Sequence, residues 1–269
     1  MTISLDLIKK LREISGAGMG DCRNALVEAA GDLEKAMEAL RKKGIAKAAK
    51  RSDREAGEGL IKIATNEAGN EGYMLDLRAE TDFMVLSEQF QNFSRQVIEL
   101  IAAARPQNLE ELLVLSMNGS TVRETLDNLS GIVGEKLEIK RYAIVTSAGS
   151  VAAYSHAGGR IGVLAAINRA GEAELAREIA MQAAAANPRY INPEDVPAAE
   201  LEKEKEIYRE QLLAEGKPEV MIEKIMAGKL SKFYEEVCLT KQEYIKDDTK
   251  KVGDVLGNLK VEKFIRFAL

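Results

Sequence analysis

Histidine is the side chain most often used to move protons near neutral pH, and this sequence has one, His156. A Ser-His-Asp or Cys-His arrangement would have to use it, and a metal site built on several histidines is excluded. The two cysteines, Cys22 and Cys238, stand far apart and make no metal-ligand spacing. Reduced thiols and a cytoplasmic location are therefore expected. Carboxylates or a lysine can stand in for histidine, but the acids and bases here interleave along helical faces and form no compact constellation. The glycine runs are no better as phosphate cradles. "GAGMG" at 16–20 follows a helical pattern rather than a strand and lacks the Lys and Ser/Thr of a P-loop. It reads as a helix-to-helix turn with Met19 exposed at its tip. "AGGRIG", from Ala157, reads as a hairpin turn, with His156 an ordinary polar group at the strand end. The inventory points away from an enzyme, and no cofactor or metal is expected.

Binding chemistry has a better candidate in "ETDF", residues 80–83. It lies between a strand-like run, "GYMLDLRA", and a helix-like run, "MVLSEQFQNFSRQVIELIAAA". Thr81 or Asp82 can cap the helix, which puts Phe83 in its first turn. Phe90 and Phe93 then fall one and two turns further on, roughly on the same side. Two readings are open. Phe83 shares a core with the other two rings, or Asp82–Phe83 is an exposed tip that enters a partner. Patterning alone favours the core.

The elements that must position these residues can be read from composition and periodicity. With 269 residues, 46% hydrophobic and 30% charged, the chain is globular and long enough for more than one domain. A net charge of −5 argues against general nucleic-acid binding. No apolar run approaches a membrane span, and the amphipathic start, which contains acids, is no signal peptide. Residues 1 to about 43 read as three short helices, broken at "SGAGMGD" and at Gly31–Asp32, with one apolar face left open. "RKKGIAKAAKRSDREAGEG" then reads as a solvated, partly helical linker, and less readily as an RNA-contacting arm.

From Gly59 the period changes to two. "GLIKIATN" and "GYMLDLRAE" make one hairpin, "SVAAYSH" and "GRIGVLAAIN" a second, and each is followed by a helix. "VGEKLEIKRYAIV" from Val133 parallels "VGDVLGNLKVEKFIRFAL" from Val252, as expected of an internal duplication. The fold class is α+β, with two related units of three antiparallel strands and a helix across one face. Prolines bound an insertion whose two charged helices have narrow apolar seams, Leu201, Tyr208 and Leu212 against Ile222, Ile225, Leu230 and Phe233. That pattern suits a projecting antiparallel coiled-coil hairpin. The expected divisions are 1–52, an N-terminal domain and linker; 53–147, one core subdomain; 148–192 with 238–269, the other; and 193–237, the inserted hairpin.

Taken together, "SGAGMGDCRNAL", "GDLEKAMEALRKKG", "ETDF", "YSHAGGRIGVL", the proline-bounded hairpin and the final "FIRF" resemble the bacterial elongation factor Ts family over nearly the whole chain. The resemblance implies a UBA-like N-terminal domain of three helices, a two-part core and an inserted coiled coil. It implies a guanine nucleotide exchange factor for elongation factor Tu that makes no direct use of nucleic acid or membrane. Asp82 and Phe83, flanked by Thr81 and Met84, would enter the partner near its magnesium site, and Met19 and His156 would be further contacts. Phe83 would then be a wedge and not core. Self-association through the hairpin is a further expectation. The family often carries another helical module after the last strand, whose contact should be absent or replaced in a sequence stopping at Leu269. The resemblance leaves the role of Glu80 open. The competing readings are an adaptor on the ribosome or RNA, resting on the basic run from Arg41 to Arg54, and an enzyme using carboxylates in the core.

Overall fold

The computed structural model describes residues 3–269. Three helices come first, α1 (Leu5–Ser15), α2 (Met19–Glu28) and α3 (Leu33–Ala49). A hairpin of β1 (Glu58–Thr65) and β2 (Glu71–Ala79) follows, then α4 (Asp82–Leu86), α5 (Glu88–Ala104) and α6 (Leu109–Val114). The two-residue strands β3 (Ser116–Met117) and β4 (Ser120–Thr121) lead into α7 (Val122–Val133) and β5 (Leu137–Thr146). A second hairpin, β6 (Ser150–His156) and β7 (Ile161–Ile167), precedes α8 (Ala173–Ala186) and the long pair α9 (Ala198–Ala214) and α10 (Glu219–Val237). The chain closes with β8 (Glu243–Tyr244), β9 (Asp247–Lys251), α11 (Val252–Leu256) and β10 (Val261–Ala268).

Local chemistry explains most of these boundaries. The Ser4 hydroxyl accepts from the Leu7 N–H and the Asp32 carboxylate from those of Glu34 and Lys35, so α1 and α3 start where a short oxygen side chain can cap them. Gly16 ends α1 in the left-handed region, φ 69°. Leu11, Cys22, Leu26 and Ala36 fill the centre of this bundle. Met19, expected exposed, is half-buried against the same cluster. Because α2 begins at Met19 itself, the side chain packs on the bundle instead of crowning a turn.

Helix α3 runs on to Ala49, so much of the expected linker is helix. Its packing explains why. A β-carbon on Gly131 of α7 would fall 2.3 Å from the Gly44 α-carbon, so the two helices touch backbone to backbone. Ile132 of α7 joins the N-terminal cluster, covering part of the apolar face expected to stay open. The basic run turns inward as well. Arg41 pairs with Glu124, Lys43 with Asp21 and Arg54 with Glu80, while Arg51 reaches the Ser130 carbonyl at 3.4 Å.

The two larger sheets share one plan. Their strand orders are β1-β2-β5 and β6-β7-β10, each a hairpin whose second strand is central and pairs antiparallel with a late-arriving third strand. They pack face to face, Ile61, Met74 and Val145 of the first against Val151, Leu164 and Phe267 of the second. Close approach requires glycine, since a β-carbon at Gly162 would lie 2.4 Å from Ile61 Cγ2. The outer face of the first sheet carries α5, with Phe90, Phe93, Val97 and Ile101. That of the second carries α8, with Ile179, Ala180 and Ala183. The architecture is α+β, ordered helix, sheet, sheet, helix, and it explains why β2 is buried on both faces rather than alternating.

A buried ion pair lies between the sheets. Asp76 on β2 is fully buried and accepts from Arg78 Nε at 2.5 Å and from Arg141 Nε at 3.0 Å. Both guanidiniums also donate to the Ala268 carbonyl, at 3.1 and 3.2 Å, and Arg141 lies 4.1 Å above the Phe267 ring. The network ties the last strand of one sheet to two strands of the other.

Helices α9 and α10 pack on each other, with Leu212 and Ile222 buried toward the far end and Phe233 and Val237 at the base. Lys229 sits over the Tyr208 ring, and Arg209 pairs with Glu219 across the connection. None of the described helices is long and apolar enough to cross a membrane.

Both cysteines are free and buried. Burial pushes the Cys238 thiol up to about 11, with Asp195 and Glu194 adding to the effect. The thiolate is the reactive form. Buried away from solvent, neither cysteine is expected to react with a soluble disulfide reagent at pH 8 in the native protein, and both should react in denaturant. Rapid native modification at Cys238 would contradict this packing.

Candidate partner-binding site

The tip begins where β2 leaves the first sheet. Thr81 is extended (φ −127°, ψ 153°), and its hydroxyl accepts from the Met84 N–H at 3.2 Å, capping α4. Asp82, exposed in the first turn, accepts from the Phe83 N–H at 2.9 Å. Helix α4 ends after five residues because Ser87 is also extended (φ −67°, ψ 146°) and caps α5 by accepting from the Phe90 N–H at 3.3 Å. The one long helix expected here is two helices with a bend between them.

That bend decides the fate of Phe83. Phe90 and Phe93 are 0% and 4% exposed in the core beneath α5, whereas Phe83 is 82% exposed. The reading that places all three rings in one core is overturned, because the break at Ser87 rotates the first turn away from the rest. Met84 is the residue of α4 buried in the core, and Val85 packs half-buried against the same cluster. Leu86, 77% exposed, stands three residues from Phe83 and so on the same side of the turn. Burying one large apolar side chain is worth roughly 1.5–3 kcal/mol. A phenyl ring held in water on a capped turn forgoes that gain until a partner covers it.

The base of the tip is cross-braced. The Thr81 N–H and hydroxyl both donate to the Glu135 carboxylate, at 3.0 and 2.7 Å. The Glu80 carboxylate accepts from the Lys136 N–H at 2.6 Å and from Arg54 at 3.1 Å. The Lys136 N–H first, and the Arg54 guanidinium after it, hold the Glu80 carboxyl below the usual carboxylate range. Glu80 therefore faces the protein as a structural acceptor. Glu135, Lys136 and Leu86 are additions to the sequence reading, and the local signal for the bend was Ser87, a capping residue inside a helical pattern.

The remaining candidates lie elsewhere. Met19 belongs to the N-terminal bundle. His156 ends β6, an edge strand of the second sheet. It is exposed, and its Nδ1 lies 3.1 Å from the Tyr154 hydroxyl. Beside it is a cavity of about 270 Å³ lined by Met181, Ile245 and Arg266. The contiguous candidate is thus Thr81–Met84 with Leu86, presented at the exit of one sheet.

A family model described as elongation factor Ts matches residues 80–269. The match opens at Glu80, the base of the tip, and runs through β5, the second sheet and the α9–α10 pair to the last strand. The chain belongs to the elongation factor Ts family, a family of guanine nucleotide exchange factors for elongation factor Tu.

Proposed function

We propose that this protein binds elongation factor Tu carrying GDP and speeds GDP release in translation elongation, acting in the cytoplasm by protein contact alone. The observation that carries the reading is the Phe83 ring, 82% exposed on a turn that is capped above and braced below. Asp82 and Phe83 enter the GTPase near the magnesium that bridges its nucleotide. Magnesium demands near-octahedral geometry, and packed interfaces shift between discrete arrangements. A ring wedged among the elements that hold the metal's shell therefore loosens metal and phosphates together. Linkage makes the effect reciprocal, so GDP weakens binding of this protein by the same factor. No bond changes, and no acid, base or bound metal is asked of the chain. Thr81 and Met84 fix the turn, and Met19 and His156 are secondary contacts. The adaptor reading rested on a basic run whose Arg41, Lys43 and Arg54 are engaged in ion pairs within the chain.

The direct test is release of labelled GDP from elongation factor Tu with and without this protein. Faster release is expected. Binding without faster release would favour an adaptor instead.

In this reading the first three helices form a UBA-like domain, and α9–α10 form a coiled-coil arm for self-association that exchange does not need. The arm leaves from adjacent points, since Tyr190 bridges Cys238 and the Arg189 and Tyr190 N–H groups donate to the Val237 carbonyl. Replacing Lys203–Leu230 with a short Gly/Ser linker keeps Phe233 and Cys238 at the base. Because closure entropy grows only slowly with loop length, the shortened protein should stay folded and retain exchange within about twofold of the parent's. Loss of exchange in a protein with native circular dichroism would make the arm part of the active surface.

A further inference from the structure

The geometry points to Glu135 and Glu80 as positioning residues for exchange: their carboxylates cross between adjoining segments and hold α4 in the orientation that aims Phe83 outward. The inference rests on the exchange reading above and extends it to groups outside the Thr81–Met84 segment. A single turn of helix has too few hydrogen bonds to hold itself in water, so the direction of Phe83 depends on what braces Thr81. A hydroxyl has one proton and two lone pairs. The Thr81 proton goes to Glu135 Oε1 at 2.7 Å, which leaves the oxygen's lone pairs free for the Met84 N–H at 3.2 Å. Glu135 thereby sets the rotamer that makes the cap, and its Oε2 takes the Thr81 N–H at 3.0 Å as well.

Glu80 runs in the opposite sense, accepting from the Lys136 N–H at 2.6 Å. Residues 80–81 and 135–136 are thus stitched by reciprocal bonds to charged acceptors, the stronger class of hydrogen bond. Gly134, at φ 83°, ends α7 and delivers Glu135 to this point. The chain arriving from the N-terminal helices joins the same knot, because Lys136 Nζ donates to the Ser52 and Arg54 carbonyls at 2.8 and 3.0 Å, and Arg54 pairs with Glu80. A wedge acts only when it is aimed, and misplacement by about an ångström can forfeit much of a rate effect. Docking draws on other surfaces too. Loosening the brace should therefore lower the release rate at saturation more than the affinity.

The test follows labelled GDP release from elongation factor Tu over a concentration series of parent, Glu135→Ala, Glu135→Gln, Glu80→Ala and Thr81→Val, with melting of each. Glu135→Ala is expected to lower the saturating rate about tenfold, the effect of losing bonds to a charged acceptor, and to leave the half-saturating concentration within about twofold. Glu80→Ala should fall in the same direction. Glu135→Gln keeps one acceptor oxygen for the two Thr81 donors and sets its amide nitrogen against the other, so it should recover part of the rate lost in Glu135→Ala. Thr81→Val removes the hydroxyl while keeping its shape and should reproduce the loss, even if Glu135→Ala folds poorly. An unchanged saturating rate in both Glu135→Ala and Thr81→Val would overturn the positioning role. So would a loss confined to half-saturation, or equal losses in Ala and Gln that track melting. A parent that leaves GDP release unchanged would overturn the exchange reading and this role together. An active parent with equally active Glu135→Ala and Thr81→Val would overturn this role alone.

Discussion

Phe83→Ala is expected to lower the rate of GDP release by about 30-fold or more, the equivalent of a hot-spot aromatic worth about 2 kcal/mol, and to leave the protein as stable as before. The two halves of this expectation come from one observation, the 82% exposure of the ring. Exposed substitutions usually change stability by no more than about 0.5 kcal/mol, and alanine is the better helix former by a few tenths. A phenylalanine in the core would instead lose about 3–5 kcal/mol on truncation. Thermal melting and labelled GDP release, measured on the same preparation, separate the cases. A large fall in melting temperature with release intact would mean that Phe83 packs inside the protein. Unchanged release with unchanged melting would mean that the ring is no wedge.

Asp76→Ala should be the most destabilising single change outside the apolar core, by about 3–5 kcal/mol, because it strands a buried guanidinium. Arg78 is 5% exposed and donates two hydrogen bonds to the Asp76 carboxylate. Arg141 is partly exposed and can turn to water, so the penalty falls mainly on Arg78. The mechanism makes a second, opposed prediction. Asp76→Leu combined with Arg78→Met removes both buried charges and leaves Arg141 to serve the Ala268 carbonyl, which should restore much of the loss. Urea unfolding midpoints at constant slope measure both variants. A loss under about 1 kcal/mol for Asp76→Ala would show that the pair is not desolvated as the packing implies.

The sequence by itself determined the parts whose causes are local. Short oxygen side chains and glycines mark the start of the first helix and the breaks between the first three, and period-two runs mark the hairpins. The parallel between "VGEKLEIKRYAIV" and the chain's last segment foretold two sheets of one topology, which the strand orders β1-β2-β5 and β6-β7-β10 bear out. The position of the tip at residues 80–83 was legible too, since a threonine between a strand and a helix is a capping signal wherever it occurs.

Tertiary structure decided what depends on residues distant in the chain. Phe83 and Phe90 stand at a helical spacing, so periodicity puts them on one side. Only the bend at Ser87, with Met84 drawn into the core, sends one ring outward and the other inward. The Asp76–Arg141 pair joins strands 65 positions apart, and a register shift beside Asp76 sets that arginine opposite it. No window of sequence contains both. Gly44 and Gly131 carry no mark of each other until α3 and α7 meet at backbone distance, and that meeting turns an expected linker into helix. Glu135 looks like any acid after a helix until β5 returns beside β2 and brings its carboxylate to Thr81. Propensity and periodicity act over a few residues. Burial, charge pairing and close backbone approach act across whatever the fold brings together, and in this protein they set the direction in which the tip points.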